Sequence, residues 1–175
     1  MLRWLRPAEF HKTVWQVDGA KLVSRGVVAV LVDLDNTIVE YRQYRTSDAL
    51  EKWIAGLKSH GLRICIVSNS RRQALAASLG AHIDVPVITR AGKPSRRALR
   101  RAMAMLGAGP SETAVIGDQV FTDILAGNRL GCHTILVSPL SRHEFPGTRL
   151  VRILERFVLR SLKIDQEAVP PDHVQ

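Results

Sequence analysis

Two short stretches of the chain are apolar with almost no interruption, VVAVLV at residues 27–32 and LRICIV at 62–67. A strand without apolar–polar alternation has both faces buried, which happens where helices cover both sides of a parallel sheet. The sequence between them supplies such a helix. Leu50, Trp53, Ile54 and Leu57 recur at spacings of three and four within 47–59, behind Ser47 as N-cap with Glu51 nearby.

The pattern then repeats. A second helix is expected over 71–79, stopped by a left-handed cap at Gly80, followed by a short strand at 85–88. A third helix, with Pro94 in its first turn, is expected to run to about Leu106 and close at Gly107. A strand at 113–116, a helix at 121–130 and a strand at 134–137 complete the alternation. The expected fold class is α/β, a doubly wound, mainly parallel, five-stranded Rossmann-like sheet that binds ligands at the carboxyl ends of its strands.

Composition sets the limits of this reading. A chain of 175 residues with 46% hydrophobic content builds one globular core and is not globally disordered. Cys65 and Cys132 sit inside apolar runs, so they read as core residues in a reducing compartment. The longest fully apolar run is six residues, far short of a membrane span, and the first residues lack the pattern of a secretory signal. A cytoplasmic protein is expected, with residues 1–25 as a basic amphipathic segment, a domain over 26–165, and a disordered tail over 166–175. A net charge of +9 calls for an anionic partner without choosing among phosphate, lipid headgroup and nucleic acid.

The chemistry is concentrated at strand ends. Directly after the first apolar run come Asp33 and Asp35, two carboxylates at i and i+2 whose like charges a divalent cation would compensate. A polar turn is the bland alternative. After the second run, Ser68-Asn69-Ser70 offers hydroxyls and backbone N–H groups at a helix start, suited to phosphate or simply to capping. Lys93 precedes the third helix, Asp118 follows the fourth strand, and Asp123 lies five residues further on. A doubly wound sheet would bring these groups together.

In that order, DLDNT at 33–37, SNS at 68–70, Lys93-Pro94 and GDQVFTD at 117–123 resemble the four signatures of the haloacid dehalogenase (HAD) superfamily, covering roughly residues 27–137. The resemblance implies a phosphatase in which Asp33 is the nucleophile and Asp35 the general acid and base. Ser68 and Lys93 would hold the transferred phosphoryl group, and Asn69 would position the acid–base loop or a substrate oxygen. Mg²⁺ would be held by Asp33, Asp35, Asp118 and Asp123, with Asp123 supporting the metal or orienting Lys93. The short spacings and GDQxxTDxxxxN look like the IIIA-type, YqeG-like branch, which is similar to the mitochondrial phosphatidylglycerophosphate phosphatases. The implied reaction is conversion of phosphatidylglycerophosphate to phosphatidylglycerol.

Spacing bears on the substrate as well. Thirty residues separate Thr37 from Ser68 and 22 separate Ser70 from Lys93, so neither gap holds a separate cap domain and the site should be open. Open sites suit a phosphate carried on something large. Residues 90–101 hold six bases and no acid. Arg149, Arg152, Arg156, Arg160 and Lys163 recur at helical intervals beside Leu150, Ile153, Leu154 and Phe157, as in membrane-surface or partner-binding helices. Peripheral association with the inner face of a membrane follows as an expectation, and plain packing on the domain is the alternative. A soluble nucleotide or sugar phosphate is the rival substrate class. A nucleic-acid-binding module is the rival of a different kind, disfavoured because nine aromatics leave few for base stacking.

Overall fold

The computed structural model describes residues 2–41, 43–141 and 154–155. Six parallel strands form one sheet: β1 (Glu9–His11), β2 (Ala29–Val32), β3 (Arg63–Val67), β4 (Val87–Ile88), β5 (Thr113–Gly117) and β6 (His133–Val137). Their order is β1-β6-β5-β2-β3-β4. The chain leaves β2 toward β3 and β4 on one side and returns through β5 and β6 to the other. The switch point where a doubly wound sheet opens a crevice therefore lies between the carboxyl ends of β2 and β5.

The apolar runs supply both layers of the core. Val30, Val32, Ile64, Ile66, Ala114 and Ile116 pack on one face against α2 (Asp48–Ser59) and α3 (Gln73–His82). Leu31, Cys65, Val67 and Val115 pack on the other against α4 (Arg97–Leu106). In α2 the Ser47 hydroxyl caps the helix by accepting from Leu50 N at 3.2 Å, and Leu50, Trp53, Ile54 and Leu57 are all buried. Gly107 closes α4 at φ 61°.

Three expectations require correction. The sheet has a sixth strand, β1, which pairs with β6 in register Glu9 to Ile135 and lies within the segment that the sequence sets apart as residues 1–25. That segment is built into the domain: Val14, Val17 and Leu22 are buried, Trp15 meets Trp53 edge-on at 6.0 Å, and Trp53 Nε1 donates to Val17 O at 3.1 Å. Gly80 does not end its helix, because α3 continues to His82. A side chain there would overlap Val87 and approach Val85 O to 2.6 Å, so its smallness serves the close packing of α3 on β4. The third helix begins at Arg97 rather than around Pro94, since Gly92 to Ser95 form a turn closed by Ser95 N to Gly92 O at 2.9 Å.

The basic carboxyl-terminal helix and the tail over 166–175 lie outside the described residues, apart from helical Leu154 and Glu155. Among the described residues no helix is long and apolar enough to cross a membrane.

Candidate active site

Four strands deliver the polar groups. Asp33 follows β2, Ser68 follows β3, Lys93 lies five residues beyond β4, and Asp118 follows β5. Because all four strands run the same way, these groups converge at one edge. They meet in or beside a cleft of about 480 Å³, lined among others by Asp33, Asp35, Ser68, Asn69 and Lys93.

The floor of the cleft is charged and almost dry. Lys93 Nζ lies 2.6 Å from Asp33 Oδ1 and 2.6 Å from Asp123 Oδ1, and donates to Val67 O at 2.6 Å, with only 3% of its side chain exposed. Asp118 is buried beside them and accepts from Thr37 Oγ1 at 3.2 Å. Asp33, Asp118 and Asp123 bring carboxylate oxygens within 4.8 Å of one another. Burial and the charges of Asp123 and Asp118 push the Asp33 carboxyl well above its ordinary value despite the opposing ammonium of Lys93. For Lys93, burial works against the charged form, but Asp123 and Asp33 outweigh it and hold the ammonium above the usual lysine range. Three carboxylates share this one cation, which leaves the cluster short of positive charge.

That deficit is also the test of whether the residues suit a metal. A buried all-carboxylate set, short of positive charge even after its lysine, is the donor chemistry of a hard divalent cation. Asp123 Oδ1 points the same way. It is buried and close to the ammonium, yet has no hydrogen bond of good geometry. The set fits.

Asp35 falls elsewhere than the sequence suggests. Its carboxylate lies outside the group of three and accepts from Tyr44 Oη at 3.1 and 3.4 Å. The backbone explains this: Asn36 takes a left-handed φ of 61°, its N–H donates to Val39 O at 2.7 Å, and an isolated bridge joins Asp35 to Val39. The tight turn carries Asp35 away from the floor and toward the loop bearing Tyr44. Tyr44 Oη also meets Ser70 Oγ at 2.7 Å.

Asn69 supports the lysine. Its amide accepts from Lys93 N at 2.8 Å and donates to Lys93 O at 3.1 Å, tying the β3 and β4 loops together. Ser68 Oγ accepts from Ser70 N at 3.0 Å. Asp123 sits in a π-helical turn, Val120–Ile124, where Gln119 N and Thr122 Oγ1 donate to its Oδ2 at 3.3 and 3.1 Å. The first turn of that element is capped from a distance, because buried Glu155 accepts from Phe121 N at 3.1 Å. Any side chain at Gly117 would overlap the Asp123 carboxylate, so this glycine is what lets Asp123 reach the floor.

A family model for haloacid dehalogenase-like hydrolases matches residues 2–131. The chain belongs to that family. Among its HAD relatives, "Probable phosphatase YqeG" of Bacillus subtilis is 36% identical over 92% of this chain and 93% of its own length. "Phosphatidylglycerophosphate phosphatase 1, chloroplastic/mitochondrial" of Arabidopsis thaliana is 31% identical over 93% of this chain, which spans 49% of that protein. The fold matches the cobalt-bound deoxy-D-mannose-octulosonate 8-phosphate phosphatase of Haemophilus influenzae with a TM-score of 0.52, at 14% identity over 79% of this chain and 88% of that one. This is a HAD-family phosphatase.

Tyr44 and the arginines Arg71 and Arg72 line the cleft without having been assigned to the site from the sequence, and Gly117 stands in the fourth signature without a role of its own. Only the adjacency of Arg71 and Arg72 to SNS could have flagged the pair. Nothing around Tyr44 marks it, because loop contacts leave no periodic trace.

Proposed function

We propose that this phosphatase is Mg²⁺-dependent, works through an aspartyl-phosphate on Asp33, and converts phosphatidylglycerophosphate to phosphatidylglycerol at the cytoplasmic face of a membrane. The observation that carries the chemistry is the buried ion cluster of Lys93 with Asp33 and Asp123, opening into a cleft that also holds Asp35.

Asp33 attacks phosphorus, and the bond from phosphorus to the alcohol oxygen breaks while Asp35 gives that oxygen its proton. Water then attacks the same phosphorus, Asp35 takes a proton from it, and the Asp33 carboxylate is restored as phosphate leaves. Splitting one displacement into two is the benefit of a covalent intermediate. A proton transfer of the kind assigned to Asp35 contributes roughly 100- to 10,000-fold. Lys93 and Ser68 hold the transferred oxygens. Tyr44 holds the Asp35 carboxylate, and Asn69 fixes the Lys93 backbone. Asp33, Asp118 and Asp123 would hold Mg²⁺, which when bound neutralises charge on the phosphoryl oxygens.

For the substrate, support comes from the Arabidopsis relative and from "Phosphatidylglycerophosphate phosphatase 1, chloroplastic" of Chlamydomonas reinhardtii, 30% identical over 81% of this chain, which spans 56% of that protein. The geometry is compatible. Among the described residues of 38–67, a loop, α2 and β3 leave no room for a separate domain over the cleft, and α4 exposes Arg97, Arg100 and Arg101, which suit an anionic surface.

The test is phosphate release, with and without Mg²⁺, from phosphatidylglycerophosphate in mixed micelles, nucleotides and sugar phosphates. The lipid should be turned over with the highest kcat/KM, and Asp33→Asn should abolish release while leaving the fold intact. Near-wild-type turnover in Asp33→Asn would refute the mechanism. Preference for a soluble phosphate would refute the substrate.

A further inference from the structure

Arg71 and Arg72 line the cleft, directly after Ser70 and ahead of α3. Both are exposed, and neither forms an ion pair with a described residue. Every other group on the cleft wall that carries a full charge belongs to the reaction itself: Asp33, Asp35 and Lys93. Among the described residues, neither guanidinium is paired with a catalytic carboxylate.

Two adjacent cations at the start of a helix are electrostatically unfavourable, since the peptide dipoles place positive potential there too. The first turn of α3 contains no acid to offset them. The charge of Arg72 also reaches into the cleft. Burial is the chief influence pushing the Tyr44 hydroxyl above its ordinary value, and Arg72 is among the groups opposing that rise.

We infer that Arg71 and Arg72 form a second anion subsite, which reads a negatively charged group on the alcohol that carries the scissile phosphate. The transferred phosphoryl group is held at the floor by Lys93 and Ser68, so an anion at Arg71 and Arg72 must belong to the leaving group. Guanidinium groups suit a phosphodiester because their paired N–H donors match two phosphate oxygens. The substrate class is thus a phosphomonoester bearing a phosphodiester on the same short polyol. A lipid headgroup and its deacylated soluble counterpart share that chemistry. The inference rests on the phosphomonoesterase reading above, and it names the residues that would choose the substrate.

The experiment measures kcat/KM for three substrates: glycerol 1-phosphate, glycerophosphoglycerol phosphate as the soluble diester-bearing headgroup, and phosphatidylglycerophosphate in mixed micelles. Wild type is compared with Arg71→Gln, Arg72→Gln and Arg63→Gln. Arg63 opens β3 at the opposite end of the sheet from the cleft, so its substitution makes the same charge change elsewhere. Each cleft variant should lower the ratio of diester-bearing to plain substrate roughly tenfold, mostly through KM, as expected for losing a charge-assisted contact in a solvent-screened setting. Arg63→Gln should leave the ratio where it was.

An unchanged ratio in both cleft variants overturns the subsite, as does an equal fall in Arg63→Gln. If the soluble headgroup shows the effect and the lipid is not hydrolysed, the subsite stands and the lipid reading falls. Hydrolysis of the lipid with a ratio indifferent to both arginines leaves the lipid reading in place and removes the subsite.

Discussion

Replacing Lys93 with methionine keeps most of its length and removes its charge, and the structure says what that should cost. The ammonium lies 2.6 Å from a carboxylate oxygen of Asp33 and 2.6 Å from one of Asp123, with its side chain 3% exposed. At an effective dielectric of about 20, each contact is worth roughly 6 kcal/mol of attraction before desolvation is charged against it. Burying the ammonium offsets much of this, and the usual net cost of breaking a buried pair from one side is about 3–5 kcal/mol. In EDTA, Lys93→Met should therefore unfold in urea with a stability lower by that amount. Mg²⁺ at roughly one hundred times its Kd adds about 2.7 kcal/mol to any protein that binds it only when folded. The variant's acidic site is one charge more negative than the wild type's, so at a given Mg²⁺ concentration its gain should exceed the wild-type gain. Turnover should be lost in either medium. A variant within about 1 kcal/mol of wild type in EDTA would refute the electrostatic reasoning, as would a smaller Mg²⁺-dependent gain than wild type shows.

Gly117→Ala should cost about 2 kcal/mol or more and reduce turnover by roughly 100-fold, because the new methyl group displaces Asp123 from the floor; normal activity would show that the close approach is dispensable. Tyr44→Phe should lower kcat roughly tenfold, the effect of one hydrogen bond to a charged group, with urea stability nearly unchanged; an unaltered kcat would remove Tyr44 from the Asp35 support. Burial pushes the Cys65 and Cys132 thiols up to about 12 from the ordinary 9. The folded chain therefore keeps protons that the unfolded chain gives up, and this contribution is whole below pH 9 and lost as pH rises toward 12. Each thiol should add about 1.4 kcal/mol per pH unit to the loss in that window, and a Cys65→Ala/Cys132→Ala variant should show a correspondingly shallower slope in urea titrations. An identical slope in that variant would refute the assignment.

The legible part of the site was the part placed by the sheet. Asp33, Ser68 and Asp118 each follow an uninterrupted apolar run, and a parallel sheet has no choice but to bring such residues to one edge. Lys93 and Asp123 were legible through their motif and not through periodicity. The edge strand β1 escaped notice for a physical reason: it has three residues of intermediate burial, pairs with β6 alone, and is held by polar contacts that include Glu9 to His133 at 2.7 Å. Such a strand needs no apolar run to form.

Sequence alone determined the α/β class, the helix and strand alternation, and which polar residues lie at the carboxyl ends of the strands, because burial on two faces and turn chemistry are local demands on composition. Only the tertiary structure decided how those residues are grouped. Asp35 turns from the carboxylate cluster to Tyr44 because the loop bends at Asn36, and Asp123 reaches Lys93 because Gly117 leaves it room. Both outcomes depend on distances between segments far apart in the chain, set by the strand order β5-β2-β3-β4 and invisible in any window of residues.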